Sequence, residues 1–258
     1  MLNIEKLSIS SKYDPENLLV RDISFSLPEN SVFNLVGETG SGKSILAWAM
    51  AGILPEDLLA NGRITISGLP ISPGNNGHPD DNTFLVPQEP GMALNPTMKI
   101  ISQVAEIFRW PGKRSRSESW KKAQDILGQL GLSRFFAQGY PHELSGGMNQ
   151  RCAIAMALSS PASLIIVDEP TKGLDANLKL QAVELLVKLM EKGKTLLCIT
   201  HDFTVAGLLG GRTGVMLNGE IIEQGSTDQV LNDPKQQYTR DLIMALPENG
   251  LHAPWESR

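Results

Sequence analysis

The run Val32-Phe33-Asn34-Leu35-Val36-Gly37-Glu38-Thr39-Gly40-Ser41-Gly42-Lys43-Ser44, continued by the helical pattern ILAWAMAGIL over residues 45–54, decides the fold. A mostly apolar run of strand length enters a glycine-rich loop, and the loop opens into a helix. Residues 37–44 fit G-x-x-x-x-G-K-[ST] throughout and stand between strand and helix, where that pattern has a mechanism. The glycines let successive backbone N–H groups turn inward as an anion nest, and the helix N-terminus adds its positive end. Lys43 reaches the terminal phosphates of a nucleotide such as ATP, and the Ser44 hydroxyl is placed to ligate Mg²⁺. Gly37, Glu38, Thr39, Gly40, Ser41, Gly42, Lys43 and Ser44 are therefore candidate nucleotide-binding residues.

A Mg²⁺ site of this kind needs a carboxylate, and the apolar run SLIIVDE over residues 163–169 supplies one at a strand's end. Ligands of open α/β sheets bind at the carboxyl ends of the strands. Asp168 then holds the metal's water shell, and Glu169, on the turning chain, orients or deprotonates an attacking water. By themselves, two acids before a proline are equally compatible with a solvated turn.

Outward from these two segments the pattern is consistent. LNIEKLSIS, ISFSL and RITISG alternate as strands, VFNLVG and TFLVPQ read as strands, and PISPGNNGHPDDN over residues 70–82 is a surface loop. From about Pro90 to Pro161 the period becomes helical, with Ile100, Val104, Ile107 and Phe108, then Ala123, Ile126, Leu127 and Leu130. The reading is one domain over residues 1–258, in which 1–89 and 162–258 form the core with a short helical tail and 90–161 form an inserted helical lobe. Residues 176–192 read as an amphipathic helix ending at Gly193, before the buried strand TLLCIT. Strand, helix, strand without alternation means a parallel sheet. Asn218-Gly219 between apolar arms marks a hairpin, followed by a helix capped near Ser226 and another around Tyr238 to Ala245.

With 258 residues, 41% of them hydrophobic, the chain can bury a substantial core. A net charge of -5 argues against a protein that coats nucleic acid, and Lys113-Arg114-Ser115-Arg116 reads as a solvated loop. Cys152 and Cys198 lie far apart inside apolar runs, as buried thiols do. The N-terminus lacks a signal-peptide pattern and no apolar run reaches 18 residues, so a cytoplasmic protein is expected.

Three further segments resemble one superfamily, the ABC ATPases. Leu144-Ser145-Gly146-Gly147-Met148-Asn149-Gln150 is similar to the ABC signature, Gln88 in LVPQ to the glutamine loop, and His201 in ITHD to the switch histidine. Leu174-Asp175 stands between the acid pair and His201, in the family's order. Ser-Gly-Gly at a helix start, without a lysine, is by itself either a plain cap or an anion site awaiting a phosphate from elsewhere. The resemblance implies that two subunits pair head to tail, with Ser145, Gly146 and Gly147 clasping the γ-phosphate held by Lys43 of the other. It implies that His201 contacts that phosphate and helps hold the water and Glu169, that Gln88 approaches metal and water, and that Tyr13 stacks on adenine.

YPHELSGGM at residues 140–148, IAMAL, GILP, LNP and Tyr238-Thr239-Arg240 resemble the oligopeptide, dipeptide and nickel importer branch. The resemblance implies a P-loop ATPase with a β-rich subdomain, a parallel-sheet core and an inserted helical subdomain, bound at the cytoplasmic face of the membrane. Its partners would be two membrane permease subunits, a second ATPase subunit (a paralogue, or in the alternative a second copy of this chain) and, indirectly, an external substrate-binding protein. The cargo would be nickel, a metal chelate or a short peptide, and the tail LHAPWESR, without cysteine after Cys198, resembles the nickel and metallophore members. Thr171-Lys172-Gly173 departs from the usual small-residue run before Leu174-Asp175. A soluble ABC ATPase acting on DNA or ribosomes is the rival reading; such proteins usually carry a coiled coil or tandem cassettes.

Overall fold

The computed structural model describes residues 1–73, 82–109 and 114–245. Most of the Gly/Pro/Asn/Asp loop, Lys113 of the basic run and the tail LHAPWESR lie outside the described residues.

The chain builds two sheets. In the first, β2 (Asp14–Leu27), β1 (Leu2–Ser11), β4 (Leu58–Ile66) and β5 (Leu69–Pro70) pair antiparallel in that order. The alternation in β1 changes parity halfway: Leu2 and Ile4 are buried, and so are Leu7 and Ile9. An odd spacing within a strand sends side chains to opposite faces unless one residue is looped out. The ladder does this between Glu5 and Ser8, which oppose Arg63 and Asn61, with Lys6 at φ 48°. The extra residue fits because position 62 is glycine: its φ is 115°, and a Cβ there would lie 2.4 Å from the Lys6 carbonyl oxygen.

The second sheet runs β10 (Glu220–Ser226), β9 (Arg212–Leu217), β3 (Val32–Val36), β8 (Thr195–Thr200), β7 (Leu164–Asp168), β6 (Thr83–Val86). All neighbours are parallel except β10, which returns from β9 through the Asn218-Gly219 turn. Each residue of β3, β7 and β8 is buried, as expected of strands covered on both faces. Strand order is not chain order. β3 and β6 come from the β-rich first part of the chain, yet they flank the β8–β7 pair from the second.

The helix after the phosphate loop, α1 (Lys43–Met50), is shorter than the sequence pattern suggests. The apolar run ILAWAMAGIL continues to residue 54, but Gly52 takes φ 70° and stops the helix, and Leu54 is buried without being helical. Between β6 and β7 the chain forms α2 (Pro90–Ala93), α3 (Ile100–Arg109), α4 (Arg116–Gln129), α5 (Arg134–Ala137) and α6 (Gly146–Ser159). α4 begins with a reciprocal capping box, in which the Ser115 hydroxyl accepts from the Glu118 amide and the Glu118 carboxylate accepts from the Ser115 amide. Ile100 and Val104 of α3, Ala123 and Leu127 of α4 and Cys152 and Ala155 of α6 share a core with Ile165 and Val167 of β7. That shared core includes Val183 and Leu186 of α7 (Ala176–Glu191). A helix that the sequence pattern did not reveal, α8 (Phe203–Leu209), follows β8 directly, N-capped by Asp202. The chain ends its described part with α9 (Thr227–Asn232), capped by Ser226, and α10 (Gln237–Met244). Among the described residues no helix is long and apolar enough to cross a membrane.

Candidate functional site

The parallel strands end together, and their ends carry the predicted residues. Gly37 follows β3, Gln88 stands two residues beyond β6, Asp168 ends β7, and His201 follows β8. The phosphate loop takes its shape from glycine at two positions that tolerate nothing larger. A Cβ on Gly37 would sit 2.2 Å from the Met216 carbonyl oxygen, and Gly42, at φ 102°, would meet the Leu19 carbonyl oxygen at 2.7 Å.

Lys43 is buried, and its ammonium folds over the loop. It donates to the carbonyls of Gly37 at 2.8 Å and Glu38 at 2.7 Å and to Ser41 Oγ at 3.2 Å. Burial pulls its pKa below the ordinary lysine value, against the attraction of Glu169, Asp168 and Glu38. Asp168 shows the converse: burial raises its carboxyl, while the Ser44 hydroxyl bonded to it and the charges of Lys43 and Lys172 oppose the rise. One oxygen of Asp168, Oδ1, is buried with no hydrogen-bond partner. An orphaned carboxylate oxygen beside a serine hydroxyl fits Mg²⁺, a hard ion that takes few protein ligands and keeps waters and phosphate oxygens for the rest.

Glu169 takes φ 50°, in the left-handed region, at a cost of about 1–2 kcal/mol for a non-glycine residue. Its amide donates to the Ile199 carbonyl at 2.8 Å, which locks the turn against β8. That conformation aims the carboxylate sideways to His201, whose Nδ1 lies 2.8 Å from Glu169 Oε2. Gln150 of α6 bonds the Pro170 carbonyl and tethers the same turn from the other side.

These groups border a cavity of 460 Å³. Lys43, Ser44, Gln88, Glu169 and His201 line one end, with Thr39, Gly40 and Gly42 of the loop. Ser145 does not reach it: its side chain caps α6, accepting from the Met148 amide at 3.3 Å, and Gly146 and Gly147 have no atom within 4 Å of a notional Cβ. Gly146 instead borders an adjoining cavity of 430 Å³, which shares Gln88 and Glu169 with the first. Nor is Tyr13 brought in. It lies in the β1–β2 connection, 87% exposed, and is not among the cavity's lining.

The other end is built from residues that sequence reading missed, namely Leu18, Leu19 and Arg21 of β2 and the Asn218-Gly219 turn. The Gly219 amide donates to the Ser41 carbonyl at 3.0 Å, and its carbonyl accepts from the Arg21 amide at 2.8 Å, so this hairpin pins the phosphate loop to β2. Asn-Gly signals the turn, but nothing local says what the turn will touch. Also missed was the ion pair of Lys179 on α7 with Asp202, 2.6 Å, directly after His201.

A family model described as "ABC transporter" matches residues 20–172. The oligopeptide transport ATP-binding protein OppD of Bacillus subtilis is 34% identical over 257 residues, covering 96% of this chain and 72% of that protein. The glutathione import ATP-binding protein GsiA of Escherichia coli is 34% identical over 266 residues, 97% of this chain, which spans only 42% of its length. Among solved structures, the dimeric post-hydrolysis state of the ATP-binding cassette MJ0796 bound to ADP and Pi superposes with a TM-score of 0.73 at 28% identity, covering 88% of this chain and 99% of that one.

Proposed function

Because this chain belongs to the ABC transporter family and is an ATPase of its peptide-importer branch, we propose that it powers uptake of short peptides through a membrane complex. The complex would comprise two permease subunits, a second, paralogous ATPase subunit and an external binding protein, with this chain at the cytoplasmic face. Similarity to proteins named for oligopeptide and glutathione transport supports the peptide reading. The net charge of -5 speaks against a soluble relative that grips DNA or ribosomes.

The observation that carries the mechanism is Glu169 held by His201 at 2.8 Å beside the phosphate loop. The loop amides and Lys43 bind the phosphates of ATP. Ser44, Asp168 and Gln88 are the residues that would hold Mg²⁺, which when bound neutralises charge on the transferred phosphoryl group. Glu169 accepts a proton from the water that attacks the γ-phosphorus in line, and the bond to the β-γ bridging oxygen breaks to leave ADP and phosphate. His201 fixes the Glu169 carboxylate and faces the same phosphate. The exposed Ser145 and Gly146 and the half-buried Gly147 complete the site of the partner ATPase, so ATP favours the closed pair and its hydrolysis releases it.

The test compares wild type and Glu169→Gln in the purified complex. Turnover should fall about 10²–10⁴-fold while ATP binding persists. Turnover unchanged in the variant removes Glu169 as base, and full activity of the isolated chain removes the second, paralogous ATPase subunit as a requirement.

A further inference from the structure

The segment Thr171-Lys172-Gly173 places a cation where the two cavities meet. Lys172 lines both the 460 Å³ and the 430 Å³ cavity, and among the described residues it shares that position with Gln88 and Glu169 alone. The backbone fixes it there. Its amide donates to the Glu169 carbonyl at 3.2 Å, Thr171 before it is buried, and Gly173 after it turns at φ 73°. Its side chain is exposed, and among the described residues its ammonium has no hydrogen bond and no ion pair within 4.0 Å. Its charge is nonetheless felt inside the site, where it opposes the rise of the Asp168 carboxyl.

Lys43 gives the contrast. That ammonium is buried at the floor of the loop, with three hydrogen bonds to its own segment. Asp168 and Glu169 both stand at the end that a terminal phosphate would occupy, and a triphosphate adds more negative charge there than a diphosphate. Among the described residues, the cavity wall at that end carries one uncommitted cation, and its flexible stem lets it follow the phosphate. We propose that Lys172 binds the terminal phosphate of ATP in its own chain's site and thereby sets the preference for ATP over ADP. Its position beside Glu169 also lets it retain inorganic phosphate after cleavage, before the site opens. The proposal rests on the ATPase reading above.

The experiment titrates the full chain with the β,γ-imido analogue of ATP and, separately, with ADP, for wild type, Lys172→Met, Lys172→Arg and Lys43→Ala. Lys172→Met should weaken the triphosphate analogue about fivefold at low salt and less at high salt, and leave ADP within about twofold, as expected for one partly screened charge. Lys172→Arg should keep most of the preference, and inorganic phosphate should compete less well with the analogue in Lys172→Met. Equal losses for both nucleotides, or no loss for either, overturn the proposal while Lys43→Ala still abolishes binding. If Lys43→Ala binds as wild type does, the nucleotide site itself has been misassigned. Thermal melting of each variant without nucleotide separates loss of the contact from loss of the fold.

Discussion

Replacing Lys179 by methionine keeps the stem of the side chain and removes its charge, leaving Asp202 without the partner at 2.6 Å. Breaking a fully buried pair costs about 3–5 kcal/mol, and an exposed one about 0–1. This pair lies between, since the Lys179 side chain is 30% exposed and that of Asp202 10%. Asp202 also keeps the Thr204 amide on its other oxygen at 2.9 Å. The expected loss is therefore about 1.5–2 kcal/mol, a fall in melting temperature of roughly 4–6 °C for a chain of this size. The effect has a pH signature. Burial pushes the Asp202 carboxyl up, but the Lys179 hydrogen bond and charge and the Thr204 amide together outweigh it and hold its pKa below the ordinary value. A carboxyl depressed by folding contributes stability above its unfolded pKa and loses it as pH falls through the folded value. The gap between wild type and Lys179→Met should thus be full at pH 7.5 and shrink as the solution is acidified through the carboxylate range. Scanning calorimetry at several pH values measures it. Equal melting temperatures at pH 7.5, or a gap that ignores pH, refute the assignment of this pair as the tie between α7 and the His201 segment.

Gly219→Ala forces a methyl into φ 86° with the Leu19 carbonyl oxygen 2.8 Å away, so the hairpin must lift off β2 and the Ser41 contact. Calorimetric titration should show ATP binding weakened along with a lower melting point, whereas binding unchanged would mean that the hairpin does not hold the loop. Asn34→Ala strips a buried amide that donates to the Gly210 carbonyl at 2.8 Å and reaches Thr227, linking β3 to α9. It should cost about 2 kcal/mol, a drop of roughly 4–8 °C, and a shift of under 1 °C would show that the network is dispensable.

Local patterns announced most strands and the longer helices, because burial imposes a period and caps have fixed chemistry. The placement of the phosphate loop, Asp168, Glu169, Gln88 and His201 at one edge is legible for a related reason: all lie at the carboxyl ends of strands that a parallel sheet must bring together. Other features were not. The end of α1 was hidden because the apolar run continues past Gly52 into residues buried for tertiary reasons, so hydrophobicity overstated the helix. The parity change in β1 needed knowledge of the partner strand, since the bulge exists only against Gly62. The far wall of the cavity depends on which strand lies beside which, so Leu18, Leu19 and Arg21 could not be distinguished from any other strand surface. Tyr13, expected from the resemblance to stack on adenine, stands exposed in the β1–β2 connection, outside the cavity's lining.

One helix joins the two halves of the proposed composite site. Ser145 caps α6, and Gln150, about one turn further along the same helix, holds the Pro170 carbonyl next to Glu169. An α-helix transmits displacement of its first turn to its second without appreciable compression, because its hydrogen bonds run along the axis. In the proposed pair, a force on Ser145 from a partner's nucleotide would therefore be applied to the turn that keeps Glu169 at φ 50°. That conformation is retained against a local cost because the Ile199 carbonyl, Gln150 and His201 each hold one part of it. In the proposed pair, engagement of the partner at Ser145 would thus be linked to Glu169 through ordinary hydrogen bonds, without a separate relay.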